Sequence, residues 1–293
     1  MSVEIREPTN AEAAEIAHLL NQHAEAAFGE TEIAAAEVRY WFTLPEIWIR
    51  VAERDGQLVG YVDAVERRGA AQELDVRAVD QEAAAAVLAA AQDHVAKGTV
   101  RVVVQGDDEL LRGLVESDGW KPCRHSYQMR IDLHEDLPQP RWPDGISVRT
   151  LQSGEEKLVY EAHNEAFADD WYFQPQPFER WRLDAFGRED FDPTLVLLAE
   201  DDGELAGFSA NTWHFSGDPQ FGWSQILGVR PRWRRRGLAT ALLHHSFQDF
   251  RRRGAKRVGL GVDAQNTTGA VELYERAGMH VARRNDTYEK QLS

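Results

Sequence analysis

The sequence predicts an α/β chain made of two copies of one unit, each a mixed β-sheet with helices on its faces. Three observations carry this. Apolar strand-like runs alternate with runs of helical period along the chain. A strand, an Asp-Gly turn and a second strand occur at residues 51–61 and again at 198–208, with Asp55-Gly56 and Asp202-Gly203 at the turns. A helix end, a glycine stop and a new strand occur at residues 114–120 and again at 273–279, with Gly119 and Gly278 as the stops. The two pairs are offset by 147 and 159 residues, so the second copy carries an insertion between its blocks.

In order, a short strand over residues 3–6 leads into a helix over 11–27. Thr9 stands as its cap, with Glu12 three residues on. The 51–61 hairpin follows, then an Ala-rich stretch at 83–91 that is a good helix former. Residues 133–145 hold Pro138, Pro140 and Pro143 and close on Gly145, which marks a linker. Trp142 within it can dock on either half. The linker divides the chain into domains 1–139 and 140–293. The second copy opens in the same way, with a strand over 146–151 and a helix over 154–167. Ser153 and Glu156 form its cap pair. A helix around 178–186 precedes strands over 194–200, 205–215 and 221–229. A helix over 238–253 stops at Gly254. A strand over 257–262, a helix over 267–277 and two strands within 279–292 complete the copy.

Hydrophobic residues make up 43% of the 293, enough for two cores of ordinary size. The net charge of −16 argues against nucleic acid as the main partner. Residues 1–139 hold 13 Lys and Arg against 26 Asp and Glu, whereas from Gly228 onward the balance is 14 against 6. Basic charge therefore gathers late in the chain. A single cysteine, Cys123, excludes an intramolecular disulfide and reads as a half-buried structural thiol. No run approaches the ~18 apolar residues of a membrane span, and residues 1–10 lack a signal core. A cytoplasmic chain with no membrane partner is expected.

The basic charge centres on Arg234-Arg235-Arg236-Gly237-Leu238-Ala239-Thr240. The apolar strand Ile226-Leu227-Gly228-Val229 runs into this loop. Leu238, Leu242, Leu243, Phe247 and Phe250 fall on one face of the helix that leaves it. A helix start offers free N–H groups and the positive end of the dipole. Gly237 lets a ligand approach the backbone, and three arginines add permanent charge. A run of charge alone is usually a solvated turn. Strand, glycine and helix start together point to a phosphate site.

The spacing Arg-x-x-Gly-x-Ala after a strand ending in Val229 resembles the acyl-CoA loop of the GNAT acetyltransferases. Asn266, ahead of a helix carrying Leu273-Tyr274-Glu275-Arg276 and Gly278, resembles the other half of that family's pattern. The two segments cover roughly residues 221–279, and the two-copy layout is similar to tandem members of the family. The resemblance implies two tandem GNAT-like domains, each a mixed, mostly antiparallel twisted sheet flanked by helices. It implies acetyl-CoA as co-substrate, no metal, and a small primary amine that attacks directly in a ternary complex. Backbone N–H groups of Arg235 to Ala239, with the Thr240 hydroxyl, would hold the pyrophosphate. Arg234, Arg235 and Arg236 would steady the phosphates. Leu227, Gly228 and Val229 would pair with the pantetheine arm, which Asn266 would also touch. Tyr274 would protonate the departing thiolate; a phenol near ~10 yields its proton to a thiol near ~8.5 only with help from the site. A monomer and a homodimer are both compatible with this reading.

The tandem member that this layout resembles, which acetylates a glucosamine amine, carries a carboxylate general base on the strand before the loop; Trp223 stands in that place here. Asp169, Asp170, His214 and water held by Gln225 are left as candidates to take the proton. Trp171, Tyr172, Phe173, Trp213 and Trp223 are either an acceptor pocket or ordinary aromatic core. In the first copy, Asp75-Val76-Arg77 aligns with Gly228-Val229-Arg230. Asp80 and Glu82 follow where the basic loop would be, with Val115 in place of Tyr274 and Asp107 in place of Asn266. That copy is expected not to bind CoA and to act as a scaffold or as a wall of the acceptor site. The alternative reading is an inactive acyl-CoA-binding sensor or partner-binding module.

Overall fold

The computed structural model describes residues 2–67, 71–171, 173–266 and 268–293, so Tyr172 and the expected helix start at Thr267 lie outside the described residues. In chain order the elements are β1 (Glu4–Arg6), α1 (Ala13–Phe28), α2 (Ala35–Trp41), β2 (Trp48–Arg54), β3 (Gln57–Arg67), β4 (Ala71–Ala78), α3 (Gln81–Val95), β5 (Gly98–Gln105), α4 (Glu109–Ser117) and β6 (Lys121–Asp132). They continue as β7 (Ile146–Thr150), α5 (Glu156–Phe167), α6 (Phe178–Phe186), β8 (Val196–Asp201), β9 (Glu204–Trp213), β10 (Phe221–Val229), α7 (Leu238–Arg252), β11 (Arg257–Asp263), α8 (Ala270–Arg276) and β12 (His280–Leu292). The fold is mixed α/β with mostly antiparallel sheet, as the sequence predicts. Two compact units divide it. One gathers the residues up to Tyr127 with Phe215–Gly217 and Arg283–Ser293; the other gathers Gln128–His214 and Asp218–Ala282.

In the first unit β1, β2, β3 and β4 pair antiparallel in sequence. β5 joins β4 in parallel, and Asn285–Leu292 of β12 pairs antiparallel with β5. The end of the chain is therefore part of this sheet. Arg283 donates to Glu32 (2.8 Å), and the Tyr288 hydroxyl donates to Glu116 (2.8 Å). The core holds Val62, Leu74, Val102, Leu111 and Trp120, with Tyr288. The expected cap of the first helix is present: the Thr9 N–H donates to Glu12 (2.7 Å) in a capping box that starts one 3₁₀ turn before α1. Cys123 is exposed rather than half-buried, and its thiol donates to the Thr287 carbonyl at 3.4 Å.

In the second unit β7, β8, β9 and β10 pair antiparallel, and β11 joins β10 in parallel. α5 and α6 cover one side of the sheet through Val159, Trp181, Phe186 and Phe208. α7 covers the other through Leu238 and Leu242, with Trp233. Phe247 and Phe250 of α7 are fully buried, each worth about 2 kcal/mol of apolar burial. Trp142 of the linker joins the Trp233 cluster. Ser153 is not the cap of α5. The side chain of Glu155 takes the Gln152 N–H instead (2.9 Å), because Arg149 holds that carboxylate in place (2.6 Å).

The two hairpins match in detail. Asp55 and Asp202, with the glycines after them, take the left-handed turn that suits twisted strands. A bulge follows at the same place, at Ala52/Glu53 and at Ala199/Glu200. Register corrects one expectation. Ala78 lies opposite Gly60, and Val229 lies opposite Gly207. Arg77 therefore matches Gly228, two residues away from the alignment drawn from composition. Pairing fixes register, and composition does not reveal pairing.

Candidate active site

β10 is the strand around which the site is built. Along one edge it pairs with β9 as far as Val229↔Gly207. Along the other it pairs with β11 only from Phe221↔Arg257 to Trp223↔Gly259, although both strands continue. The two strands part beyond Trp223. The amide groups of β10 on that side are left as a template for a guest that pairs like a strand. A bulge at Gln225, between Ser224↔Asn211 and Ile226↔Ala210, starts this open stretch. Gly228 lies within it. A Cβ there would meet the Phe208 ring at 2.6 Å and Ala166 at 3.3 Å, so any larger residue would push α5 and β9 away.

The loop after β10 is anchored by Trp233, whose indole N–H donates to Asp201 (2.8 Å). Gly237 caps α7 in the left-handed region at φ 84°, with no side-chain cap. A Cβ built there meets nothing within 4 Å, so the space in front of the helix start is open. The backbone N–H groups of Arg235 to Thr240 meet no acceptor among the described residues. Leu238 is buried; Ala239 and Thr240 are half-buried.

The three arginines differ. Arg234 donates to Asp169 (2.8 Å), to the Ala166 carbonyl (2.9 Å) and to the Val229 carbonyl (3.3 Å). Arg236 reaches Asp201 at 3.4 Å. Arg235 is exposed, at φ 60°, with no partner among the described residues. Asp169, after α5, and Asp201 of β8 thus hold two of the three, and Arg235 remains, among the described residues, the unpaired one beside the donor N–H groups.

Tyr274 of α8 is half-buried, and its hydroxyl has no partner among the described residues. Burial pushes its pKa up to about 12. It therefore keeps its proton at any working pH. Passing that proton to a thiolate near ~8.5 would be uphill by roughly 5 kcal/mol without further help. Asn266 is engaged locally: its Oδ1 accepts from the Thr268 N–H (2.7 Å) and the Thr268 hydroxyl, and its Nδ2 donates to Asp170 (3.4 Å).

The groups expected to serve as base are also engaged. Asp169 holds Arg234, and Asp170 meets Asn266. His214 is buried, stacked on Phe221 at 4.1 Å and edge-on to Trp223 at 5.2 Å. The Gln225 amide donates to the Asp184 carbonyl (3.4 Å). Trp213 packs edge-on to Phe250 of α7 (5.5 Å), and Trp223 packs edge-on to Phe221 (6.2 Å). Phe173 lies elsewhere, with Phe167 and Trp181 around a histidine the motifs do not single out, His163. Burial pulls the pKa of His163 down to about 4. The signal in the sequence is a lone histidine among the core-facing positions of α5.

Comparison with known proteins bears on this geometry. The profile described as the Acetyltransferase (GNAT) family matches residues 157–279. The mycothiol acetyltransferase of Salinispora arenicola is 34% identical over 245 residues, which are 80% of this chain and 78% of the relative. That of Thermobispora bispora is 35% identical over 200 residues, 66% of this chain and 65% of the relative. A GCN5-related N-acetyltransferase structure from Sphaerobacter thermophilus superposes with a TM-score of 0.79 at 32% identity, covering 99% of this chain and 96% of that one. A tandem GNAT protein from the clavulanic acid biosynthesis pathway superposes equally well, TM-score 0.79, at 15% identity over 100% of this chain and 99% of that one, and shares the fold. Family members use acetyl-CoA as co-substrate. The matched profile spans the parted strands, the glycine-capped helix and Tyr274, and the chain belongs to the GNAT acetyltransferase family as an acyltransferase.

Proposed function

We propose that the second unit binds acetyl-CoA and transfers its acetyl group to the primary amine of a small molecule, by direct attack in a ternary complex. The observation that carries this reading is the open edge of β10 leading to a glycine-capped helix start with unmet N–H donors. A diphosphate fits such a start, where oriented N–H groups and the helix dipole meet an anion. The N–H groups of Arg235 to Ala239 and the Thr240 hydroxyl would hold it, with Arg235 as the available cation. Arg234 and Arg236 would reach the phosphates only by releasing Asp169 and Asp201. Leu227 to Val229 would pair with the amides of the pantetheine arm, and Asn266 would lie beside it. The N–H near Val229 would polarise the thioester carbonyl, an effect worth about 3 kcal/mol in other acyl transfers. Acetyl-CoA supplies the activated acyl group and a thiol leaving group.

Tyr274 would act as the acid, giving its proton to sulfur as the C–S bond breaks, and the proton that the amine nitrogen sheds on becoming an amide would restore the phenol. Its high pKa rules it out as a base and leaves it to give its proton once negative charge develops on sulfur. The first unit would be non-catalytic, so the two units would have different tasks. Titration calorimetry with acetyl-CoA and a thiol-release assay against a panel of primary amines test the whole reading. One acetyl-CoA per chain and amine-dependent thiol release are expected. Tight binding with no release against any amine would replace the enzyme with a sensor.

A further inference from the structure

We propose that His163 receives the acceptor: its Nε2 accepts a hydrogen bond from the N–H of the attacking primary amine. This rests on the acyl-transfer reading above and names the group that meets the second substrate.

Two links locate the ring. His163 stands one turn before Ala166 on α5, about 4.5 Å along the axis, and Ala166 is the residue against Gly228. The ring also packs on Trp181 at 5.5 Å. Trp181 is one turn from Asp184 on α6, whose carbonyl takes the Gln225 amide at the β10 bulge. His163 therefore lies alongside the stretch of β10 that runs from the bulge to Gly228, where the open edge begins.

The chemistry of the ring follows from its neighbours. Its Nδ1 is sealed from solvent without a hydrogen-bond partner, and so is Oδ1 of the adjacent Asn164. Burial of the ring outweighs the Asn164 side chain, which favours the protonated form. Nδ1 is closed to any ligand, so the neutral ring meets a donor from outside only through the lone pair on Nε2, with its proton on Nδ1. Nε2 is not among the sealed atoms and has no partner among the described residues. Phe167 at 4.7 Å, Phe173 at 5.7 Å and Trp181 form a dry collar that keeps the imidazole neutral down to about pH 4. A lone pair, not a proton, is therefore offered at any working pH. Charged groups on the surrounding segments are held elsewhere: Asp184 by Arg180 (3.0 Å), Asp169 by Arg234, and Asp170 against Asn266. The aromatic faces tolerate an ammonium as well. The site suits an N–H donor and not an anionic acceptor.

Thiol release with acetyl-CoA and a panel of primary amines, from amino sugars to arylalkylamines, is compared for wild type, H163F and H163Q. Acetyl-CoA binding is followed by calorimetry. H163F should raise the amine KM at least tenfold and leave the acetyl-CoA Kd within twofold. H163Q, which retains an acceptor oxygen, should return to within threefold of wild type. An amine KM in H163F within twofold of wild type overturns the proposal, as does an equal loss in both variants. If H163F does not fold, the wild-type pH profile decides. Log kcat/KM should follow the amine's own titration down to pH 5.5, and an enzyme group titrating near 6.5 overturns the proposal. Wild-type silence with every amine overturns the acyl-transfer reading itself, which separates that failure from this one.

Discussion

The first unit passes from β4 to α3 in two residues, Val79 and Asp80. The second takes eight, from Arg230 to Gly237, between β10 and α7. Both turns follow a strand that parts from its parallel neighbour after three paired residues, at Leu74↔Val102 and at Trp223↔Gly259. What fills the helix start differs. The Asp80 carboxylate accepts from the Ala83 N–H (2.9 Å) and from Arg54 (2.8 Å), so α3 carries its own anion. Gly237 brings none to α7. One strand position earlier, Arg77 occupies the place of Gly228. It is buried and held by Asp75 (2.5 Å) and Glu32 (3.3 Å). Where the second unit leaves room for a guest, the first supplies side chains of its own. A helix start becomes a ligand site only when the chain withholds the carboxylate that would otherwise cap it.

The largest expected effect breaks that contrast from the open side. Gly237→Glu places a carboxylate at the start of α7 and should weaken acetyl-CoA binding at least 100-fold by calorimetry. Normal binding would mean that this turn is no more a cradle than the one before α3. The same titration should give one site per chain in the wild type; two equal sites would place a cofactor in the self-capped unit as well. Tyr274→Phe should lower kcat about 100-fold with the acetyl-CoA Kd within twofold, the size usual for a lost proton donor. Unchanged turnover would move the acid to another group. Arg235→Ala should weaken acetyl-CoA about fivefold and Arg236→Ala less than twofold, since one guanidinium is free and the other is tied to Asp201. Equal losses would show that the tie opens on binding.

The smallest effect probes the closed side. Asp80→Ala should cost about 1 kcal/mol in urea unfolding, as for other lost caps, and leave acetyl-CoA binding unchanged. The Ala83 N–H and Arg54 hold the Asp80 carboxyl below its ordinary value. The folded chain therefore binds that proton less tightly than the unfolded chain. Its contribution is full above about pH 4 and fades as the pH falls further. Asp80→Asn should flatten part of that acid limb; an unaltered limb would assign it to other carboxylates.

Much of the contrast was legible in the sequence. Asp-Gly hairpins and glycine stops depend on local backbone needs, so they show in the order of residues. So do the glycine before α7 and the carboxylates before α3. Register was not legible, and Arg77 was read against Arg230 when pairing sets it against Gly228. The binding of Arg234 and Arg236 by Asp169 and Asp201 was also hidden, because those acids come from 65 and 35 residues away. His163 was missed because its one mark in the sequence, a lone histidine among the core-facing positions of α5, belongs to no motif. Its isolation arises from Phe173 and Trp181, which only folding brings to the ring.

The strand that finishes the first unit's sheet is synthesised after every strand of the second unit's sheet. Gly98 to Gln105 can find their partners in β12 only after the ribosome has delivered Asn285 to Leu292. The half translated first is thus the half completed last, against the usual order of folding during synthesis. A premature stop near the C-terminus would strike the N-terminal unit, leaving an unpaired sheet edge more than 150 residues upstream of the lesion.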